Sequence, residues 1–296
     1  MTTTEVPPAT KRAHEVTCAF LCRWSSVAAS GRRGLWYFDI ERQEIRFSTD
    51  ASRHPFATER YLYMPLQNGR RDASIERWFA TIEGGFIAFL QRVDAGPLAA
   101  RPSPLQVAQT VLCAVSFGYR SGFDVHGITR LLTQDAVFRK LFGDFPLADA
   151  HRLAIENLSN SIWSEWENYR KLTVLTEMVA PLLVCDHPLL ALEGGQQAFL
   201  PVGPFSQFVF ERAANSGGFL LEFATADEMS TNLAEKLNRF TVERARKWVV
   251  ARDERQLEAL RPQLTLELVS ERRRRDRVQY TPFGRSRGTS LWELES

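Results

Sequence analysis

The sequence predicts an α+β fold, with a central helical bundle and a small, mostly antiparallel sheet. Between residues 75 and 170, apolar side chains recur every three or four residues, which is the period of amphipathic helices. Short β-prone runs, separated by proline and glycine, are concentrated between residues 173 and 223. Because the two patterns are segregated along the chain, an α+β fold is favoured over a doubly wound α/β fold.

The N-terminal part of the chain predicts a short helix, a hairpin and one long helix. Apolar residues at helical spacing indicate a helix over 14–24. The aromatic and β-branched run 35–40 and the run 45–47 are joined by a polar turn, which is typical of a β-hairpin. The most regular periodicity covers 75–93, and Gly84-Gly85 within it indicates close packing against another element.

The remaining elements follow from the same periodicities. The segment 105–117 is apolar nearly all round, which indicates a helix buried on most sides. Further helices are predicted over 128–142, 148–170, 230–251 and around 257–260. Strands are predicted over 173–178, 182–185, 198–200, 207–211 and 219–223. The alternation of apolar and polar residues in 264–268 predicts one short edge strand.

Composition is that of a globular protein, since 44% of the 296 residues are hydrophobic and 24% are charged. These proportions exclude disordered, collagen-like and disulfide-rich proteins. A single core extends over at most roughly 250–300 residues, so we predict one α+β domain over 12–262. Residues 1–11 are expected to form a mobile N-terminus, and 263–296 an arginine-rich C-terminal tail. Trp78, Phe86 and Trp248 are expected in the core.

Charge is concentrated at the C-terminal end. The formal net charge is +2, and the residues beyond Pro262 hold seven arginines against five acids, so the rest of the chain is neutral. A broad basic face for nucleic acid is therefore not predicted for the body. The run Arg272–Arg277 could contact the phosphates of a nucleic acid or another anionic partner. The alternative interpretation is a solvated tail. No pattern indicates an oligomeric state.

Cysteine usage and hydropathy predict a cytoplasmic location. The four cysteines lie in apolar stretches and form no C-x-x-C pair, which is typical of reduced, buried thiols. The apolar run 16–21 is interrupted by Arg23 and is too short for a secretory signal. No run approaches the 18 or more apolar residues that span a membrane, so no membrane partner is predicted.

None of the familiar catalytic patterns occurs, and no cofactor is indicated. His14, Cys18 and Cys22 fall on one helical stripe, but the first and last would be about 12 Å apart in a helix. Zinc ligands lie about 2.0–2.3 Å from one ion. One metal ion therefore cannot bind all three, although two of them could still meet Cys113 or Cys185 in space. We predict no metal site and interpret the cysteines as core side chains.

Two other sets of polar residues stand out. Asp186 and His187 follow a hydrophobic strand at a turn that contains Pro188, where functional groups are often held. The alternative is an Asx turn, in which the Asp186 carboxylate accepts local backbone N–H groups. Arg120 follows the apolar helix, where the helix dipole favours a cation. Alternatively, Arg120 forms a buried ion pair with Glu83 or Asp186.

Several segments together resemble the bacterial family known as domain of unknown function 4238. In chain order they are His14-Glu-Val-Thr17 with Leu21 and Trp24, Leu35-Trp-Tyr-Phe-Asp39, Ala57-Thr-Glu-Arg-Tyr-Leu-Tyr63, Ile82-Glu83, Arg120, Leu183-Val-Cys-Asp-His-Pro188, Pro201-Val-Gly-Pro204 and Asn238. The resemblance covers roughly residues 14–260. The sequence departs from the family pattern at Thr17, where the family has proline, at Cys22, where it has arginine, and at Cys185-Asp-His187, where it has Ser-Asp-Asn.

The resemblance implies an α+β fold and a polar centre drawn from His14, Glu83, Arg120 and Asp186, but no reaction. Two hypotheses follow. In the first, the protein is a binding or interaction module whose polar residues are structural. In the second, it is a hydrolase or nuclease-like effector in which His14 is the general base and Asp186 or Glu83 orients it or holds a metal. Whether the protein is an enzyme stays open at this point, because catalysis requires these groups to converge on a pocket.

Overall fold

A computed structural model describes residues 12–49, 55–96, 102–136, 139–140, 143–191, 196–212, 219–225, 230–277, 280–281 and 284–285. The side chains of 12–14, 123, 230–231 and 274–285 are not part of this description. The predicted mobile N-terminus, residues 1–11, and the end of the predicted tail, 286–296, lie outside the described residues.

The helices are concentrated in the middle of the chain, as the periodicity predicts. They are α1 (Cys18–Leu21), α2 (Ser74–Asp94), α3 (Pro104–Ser116), α4 (Gly122–Gln134), α5 (Leu147–Trp166), α6 (Ser230–Arg244), α7 (Glu254–Leu260) and α8 (Leu266–Arg277). Helix α3 begins with a capping box, in which the Ser103 hydroxyl accepts the N–H of Gln106 and the Gln106 side chain accepts the N–H of Ser103. Helix α2 packs on α3 at Gly85, where an added Cβ would clash with Gln109.

The described strands form two five-stranded sheets and short two-stranded pairs. They are β1 (Arg12–His14), β2 (Ser26–Val27), β3 (Arg33–Asp39), β4 (Glu44–Ser48), β5 (Thr58–Arg60), β6 (Leu66–Gln67), β7 (Arg70–Arg71), β8 (Tyr169–Thr176), β9 (Val184–Cys185), β10 (Leu190–Ala191), β11 (Gln197–Gly203), β12 (Ser206–Arg212), β13 (Leu220–Thr225), β14 (Trp248–Ala251), β15 (Tyr280–Thr281) and β16 (Gly284–Arg285). One sheet has the order β10-β11-β12-β8-β13, and the other has β2-β3-β14-β9 with β4 beside β3. All pairs are antiparallel except β13 with β8.

The α+β class, with a helical bundle and mostly antiparallel sheets, is confirmed. The predicted hairpin is β3–β4, in which Trp36 is opposite Phe47. The long helix predicted over 75–93 is α2. Helix α4 begins at Gly122 rather than at Ile128, because the polar residues of its first turn hide the periodicity from a sequence window.

Several sequence predictions are wrong in part. The helix predicted over 148–170 ends at Trp166, and strand β8 begins at Tyr169. The helix predicted over 14–24 is divided into the end of β1, the single turn α1 and a 3-10 turn. The helix predicted over 230–251 ends at Arg244, and 248–251 form strand β14 between β3 and β9. The edge strand predicted over 264–268 is a turn followed by the start of α8. Strand β14 is buried between β3 and β9, so pairing with these neighbours overrides a local pattern that also fits a helix. Leu266 and Leu268 at the start of α8 are exposed, so burial does not explain that difference.

The core is built on phenylalanine contacts between the helices and the β10-β11-β12-β8-β13 sheet. Phe86 of α2 lies with its ring centroid 5.7 Å from those of Phe20 and Phe117, and 6.2 Å from that of Phe208 on β12. Phe86 and Trp248 are buried, as predicted. The prediction for Trp78 is wrong, because this side chain is only partly buried and stacks on the exposed Trp163.

Loops and element ends from distant parts of the chain surround one polar region. It is bounded by the end of β9, the start of α4, the connection between α6 and β14, and strand β5. No described helix combines the length and the apolar character needed to span a membrane.

Replacing Phe86 with alanine is expected to lower the free energy of unfolding by about 3–5 kcal/mol, because a fully buried ring leaves a cavity between α2 and β12. Urea unfolding measures the difference. Leu105→Ala on α3, whose side chain is 67% exposed, is the control and should change stability by less than about 0.5 kcal/mol. Equal effects of the two variants would contradict this location of the core.

Candidate functional site

Arg120 and Glu83 form an ion pair at the edge of the helical core. Arg120 is 2% exposed, and its Nη2 donates to Oε1 of Glu83 on α2. Its guanidinium carbon lies 4.2 Å from the ring centroid of Phe79, which adds a cation–π contact. The Tyr63 hydroxyl donates to the Arg120 carbonyl. Of the two partners that the sequence leaves open for Arg120, the structure selects Glu83.

Glu76 adds a second carboxyl group to this region. It precedes Glu83 by two helical turns on α2, so both carboxyl groups project from the same face. Burial raises the pKa of Glu76 to about 7, although the positive charge of Arg120 opposes the shift. Arg120 therefore lies near one carboxylate and one carboxyl group that titrates near neutral pH.

Asp186, predicted as a site residue, holds three parts of the chain together. It follows β9 directly, and its Oδ1 accepts the backbone N–H groups of Arg246 at 2.9 Å and Lys247 at 3.2 Å. Its Oδ2 lies 3.1 Å from Nδ1 of His187. His187 Nε2 in turn lies 3.3 Å from Oδ2 of Asp124, in the first turn of α4. We call Asp186, His187 and Asp124 the aspartate–histidine network.

Charge within this network is balanced around the imidazole. Burial disfavours the charged form of His187, but the hydrogen bonds and negative charges of Asp124 and Asp186 outweigh it and raise the pKa above 6.5. Burial likewise opposes ionisation of Asp186, but His187 and the two backbone N–H groups hold its pKa well below its usual range. The charged form of His187 is therefore favoured by the two carboxyl groups on either side of its ring.

A second network lies beside the first. Lys247 Nζ is 2.6 Å from Oε1 of the buried Glu15 and 3.1 Å from Oε2 of Glu59, and Oε1 of Glu59 contacts Nε2 of His126. We call these four residues the lysine network. It packs against the start of α4 at Gly122, where an added Cβ would lie 2.7 Å from Lys247 Nζ. A side chain at that position would displace the Glu59 carboxylate and the Lys247 ammonium group.

The charges of the lysine network shift one another's pKa values. Burial opposes the charged form of Glu59, yet hydrogen bonds and charges from His126 and Lys247 lower its pKa to about 2. Burial also opposes the charge on Lys247, but Glu15 and Glu59 raise its pKa. Burial raises the pKa of Glu15, against the attraction of Lys247, and the nearby charge of Asp186 adds to the rise. The two networks are thus electrostatically coupled.

The predicted site residues fall into two groups. Glu83 and Arg120 are in contact, whereas Asp186 belongs to the aspartate–histidine network and has neither of them among its partners. The His14 backbone lies opposite Thr58 in the β1–β5 pair, next to Glu15 of the lysine network. The His14 side chain is outside the described residues, so its predicted contact with Asp186 stays a prediction.

Sequence reasoning missed most residues of the two networks. His187 was recognisable beside Asp186, and Glu15 beside His14, within the segments noted above. Glu59 likewise lies within the quoted segment Ala57–Tyr63. Asp124 and Lys247 carry no local signal, because each is a single charged residue in an otherwise ordinary helix start or turn. Only the tertiary fold brings them together.

We now use polar centre for the Arg120–Glu83 pair, the aspartate–histidine network and the lysine network together. This polar centre offers limited chemistry. Both ring nitrogens of His187 face carboxyl groups of the protein, so neither nitrogen is directed at a substrate. Among the described residues, no three histidine, cysteine, aspartate or glutamate side chains are grouped so that they could hold a metal ion. This arrangement suits holding elements together better than proton transfer.

An apolar cleft lies away from these networks, between helices α3 and α5 and the β10-β11-β12-β8-β13 sheet. Its volume is about 690 Å³. It is lined by Pro102, Pro104, Val107, Ala108 and Val111 at the start and along one face of α3, by Trp166 at the end of α5, by Tyr169 and Arg170 of β8, and by Phe219 and Leu221 at the start of β13. Arg170 is the charged residue in this otherwise apolar and aromatic lining. We call this space and its lining residues the apolar cleft.

Two arginines of the predicted anionic-partner run contact the protein itself. Arg272 Nη1 donates to the Val242 carbonyl at 2.8 Å, and Arg273 Nη2 donates to the Arg246 carbonyl. Val242 is in the last turn of α6, whose carbonyls lack partners within the helix. A cation is favoured there by the helix dipole. The side chains of 274–277 are outside the described residues.

Comparisons with protein-family models, with curated proteins and with solved structures found no match for this chain. The resemblance to domain of unknown function 4238 therefore stays a prediction from the motifs quoted above.

His187→Gln is expected to lower the free energy of unfolding by about 3–5 kcal/mol near pH 6, because it leaves Asp124 and Asp186 facing each other without a cation. The folded-state pKa of His187 is raised above 6.5. Its contribution is therefore complete below pH 6.5 and declines as the pH rises through the folded-state pKa. Urea unfolding of wild type and variant across pH 5.5–9 measures this decline.

His151→Gln is the matched control. Burial lowers the pKa of His151, whose Nε2 lies 2.9 Å from the Leu62 carbonyl. Its contribution should therefore change in the opposite direction and decline as the pH falls through 6.5. The same pH trend for both variants would refute the assignment of His187 as a buried imidazolium.

Arg272→Met is expected to lower the free energy of unfolding by about 1.5–3 kcal/mol, because it removes a charged hydrogen bond to the end of α6. Thermal and urea unfolding test this. Arg255→Met, an exposed change of the same kind on α7, is the control and should alter stability by less than about 0.5 kcal/mol. An unchanged unfolding midpoint for Arg272→Met would support the alternative interpretation, in which this residue belongs to a solvated tail.

Proposed function

We propose that the protein is a binding protein that takes up an apolar small molecule in the apolar cleft, and that its polar centre stabilises the fold. The observation that carries this proposal is the contrast between the two regions. The charged groups of the polar centre are directed at one another, whereas the apolar cleft leaves about 690 Å³ between α3 and the sheet.

The cleft has the size and chemistry of small-molecule sites. Such sites typically measure about 300–1,000 Å³ and combine apolar and aromatic walls with a few polar groups. Here Val107 and Val111 line one side, and Leu221 lines the other. Burying each methylene group of a ligand contributes about 0.8 kcal/mol, so a chain of several carbons would supply useful affinity.

Another cleft, of about 700 Å³, lies against strand β4 and supports binding less well. Its charged lining residues already have partners, since Arg46 Nε is 3.5 Å from Glu44 and Arg261 is 2.9 Å from Glu258. A ligand there would have to compete with these ion pairs. The apolar cleft is therefore the better candidate.

The hydrolase or nuclease-like alternative receives less support from the contacts. It requires Glu83 or Asp186 to act on a substrate, and these carboxylates are held by Arg120 and by His187 with two backbone N–H groups, respectively. An anionic partner at the arginine run is likewise less favoured, because Arg272 and Arg273 bind carbonyls of the protein. A cytoplasmic location fits the proposal, since none of the four cysteines is in a disulfide.

The test uses the neutral, apolar fluorescent probe N-phenyl-1-naphthylamine and a variant that fills the cleft. Ala108→Trp places an indole in the lining of the cleft and is expected to weaken binding of the probe at least about tenfold, because the space is occupied. Fluorescence titration measures the affinity, and thermal unfolding checks that the variant is folded.

Leu105→Trp is the matched control, since it adds the same side chain to α3 at an exposed position outside the cleft. It should bind the probe as wild type does. Failure of the wild-type protein to bind the probe, or equal binding by both tryptophan variants, would reject the apolar cleft as the binding site.

A further inference from the structure

We infer that the ligand of the apolar cleft is an amphiphilic carboxylate, whose apolar body contacts α3 and β13 and whose carboxylate is received by Arg170 and the indole N–H of Trp166. This inference rests on the proposed function, because it specifies the chemistry of the molecule that the cleft binds.

Arg170 is a charged, partly buried residue at an irregularity in strand β8. The pairing of β8 with β12 skips this residue, since Tyr169 is opposite Arg212 and Lys171 is opposite Glu211, and the Arg170 side chain lines the apolar cleft together with that of Tyr169. Leu221 of β13 is paired with Leu172 of β8. Phe219, two residues before Leu221, lines the cleft together with Arg170. The guanidinium is therefore partly buried among apolar residues that line the cleft.

No carboxylate of the described residues lies within ion-pair distance of Arg170, whose only described hydrogen bond is from Nη1 to the Tyr169 carbonyl at 3.4 Å. The neighbouring acids have other partners. Glu165 binds Arg212, and Glu211 and Glu222 bind Lys171 on the opposite face of β8. A partly buried cation is normally compensated, so Arg170 offers its charge to a ligand.

Trp166 supplies a hydrogen-bond donor at the same end of the cleft. Its Nε1 is buried and has no acceptor among the described residues. It lies four residues before Arg170, at the end of α5, and both side chains line the cleft. A buried donor without an acceptor costs free energy, and an oxygen of the ligand would satisfy it.

A carboxylate fits this pair of donors best. Its two oxygens can accept from the guanidinium fork and from the indole N–H at once, and such charge-assisted bonds are stronger than neutral ones. The single cation matches a single negative charge. The rest of the lining contacts an apolar body, so fatty acids and aryl-alkanoic acids are the class of ligand.

The decisive experiment compares decanoate with decan-1-ol on the full-length wild-type protein, by isothermal titration calorimetry and by quenching of tryptophan fluorescence. The two compounds share the apolar chain and differ in the head group. We expect decanoate to bind at least about tenfold more tightly, because only the carboxylate gains the charge-assisted bonds.

Arg170→Met retains much of the apolar stem and removes the charge. It should reduce decanoate affinity about tenfold and leave decan-1-ol affinity unchanged. Trp166→Phe should reduce decanoate affinity by a smaller factor, because it removes one neutral donor. Lys171→Met is the matched control: it makes the same change on the next residue of β8, on the face away from the cleft, and should preserve the preference for decanoate.

The outcomes separate the two proposals. If decan-1-ol binds the wild type as tightly as decanoate does, the carboxylate inference is overturned and the proposed function stands. If neither compound nor the neutral probe binds, the proposed function fails and the inference fails with it. Because the wild-type ratio decides the question, a variant that does not fold leaves the conclusion intact.

Discussion

The hydrogen bonds of one carboxylate connect otherwise separate parts of this fold. Asp186 lies at the end of β9, and its Oδ1 accepts two backbone N–H groups from the connection between α6 and β14. Its Oδ2 holds His187, which reaches the first turn of α4 through Asp124. Burying this carboxylate without such partners would be costly, so the sheet edge, the helix start and the connection must adopt the same relative position in every folded molecule. Their register is thereby specified by polar contacts as well as by apolar packing.

The lysine network extends the same principle toward the surface. The backbone N–H of Lys247 is one of the two that bind Asp186. The ammonium group of Lys247 lies between Glu15 and Glu59. Gly122 allows α4 to begin against this ammonium, since an added Cβ would lie 2.7 Å from it. Charges that are paired with one another within the protein attract a charged substrate only weakly. That compensation is the physical reason for seeking the binding region in the apolar cleft rather than here.

Sequence periodicity was sufficient for the elements whose pattern is strong and local. Helix α2 and the hairpin β3–β4 have such patterns, and both are present. Strand β14 and helix α8 were missed, because an apolar run such as 248–251 fits a helix or a buried strand equally well until its neighbours β3 and β9 are known. The candidate site shows the same division. Arg120 and Asp186 stand out by their positions after a helix and after a strand, whereas Asp124, Glu59 and Lys247 become related only through contacts across long stretches of sequence.

Arg170 differs from three other cations of this fold in what surrounds it. Arg120 has Glu83, Arg212 has Glu165 and Lys247 has two glutamates, so in each case the fold supplies the opposite charge. Arg170 lines the apolar cleft, where its apolar surroundings offer no carboxylate among the described residues. Sequences that fold well avoid such local conflicts, and the exceptions concentrate at functional sites. An uncompensated guanidinium beside a buried indole N–H, at the end of an apolar cleft, is a conflict that a bound carboxylate would resolve and that the folded chain alone does not.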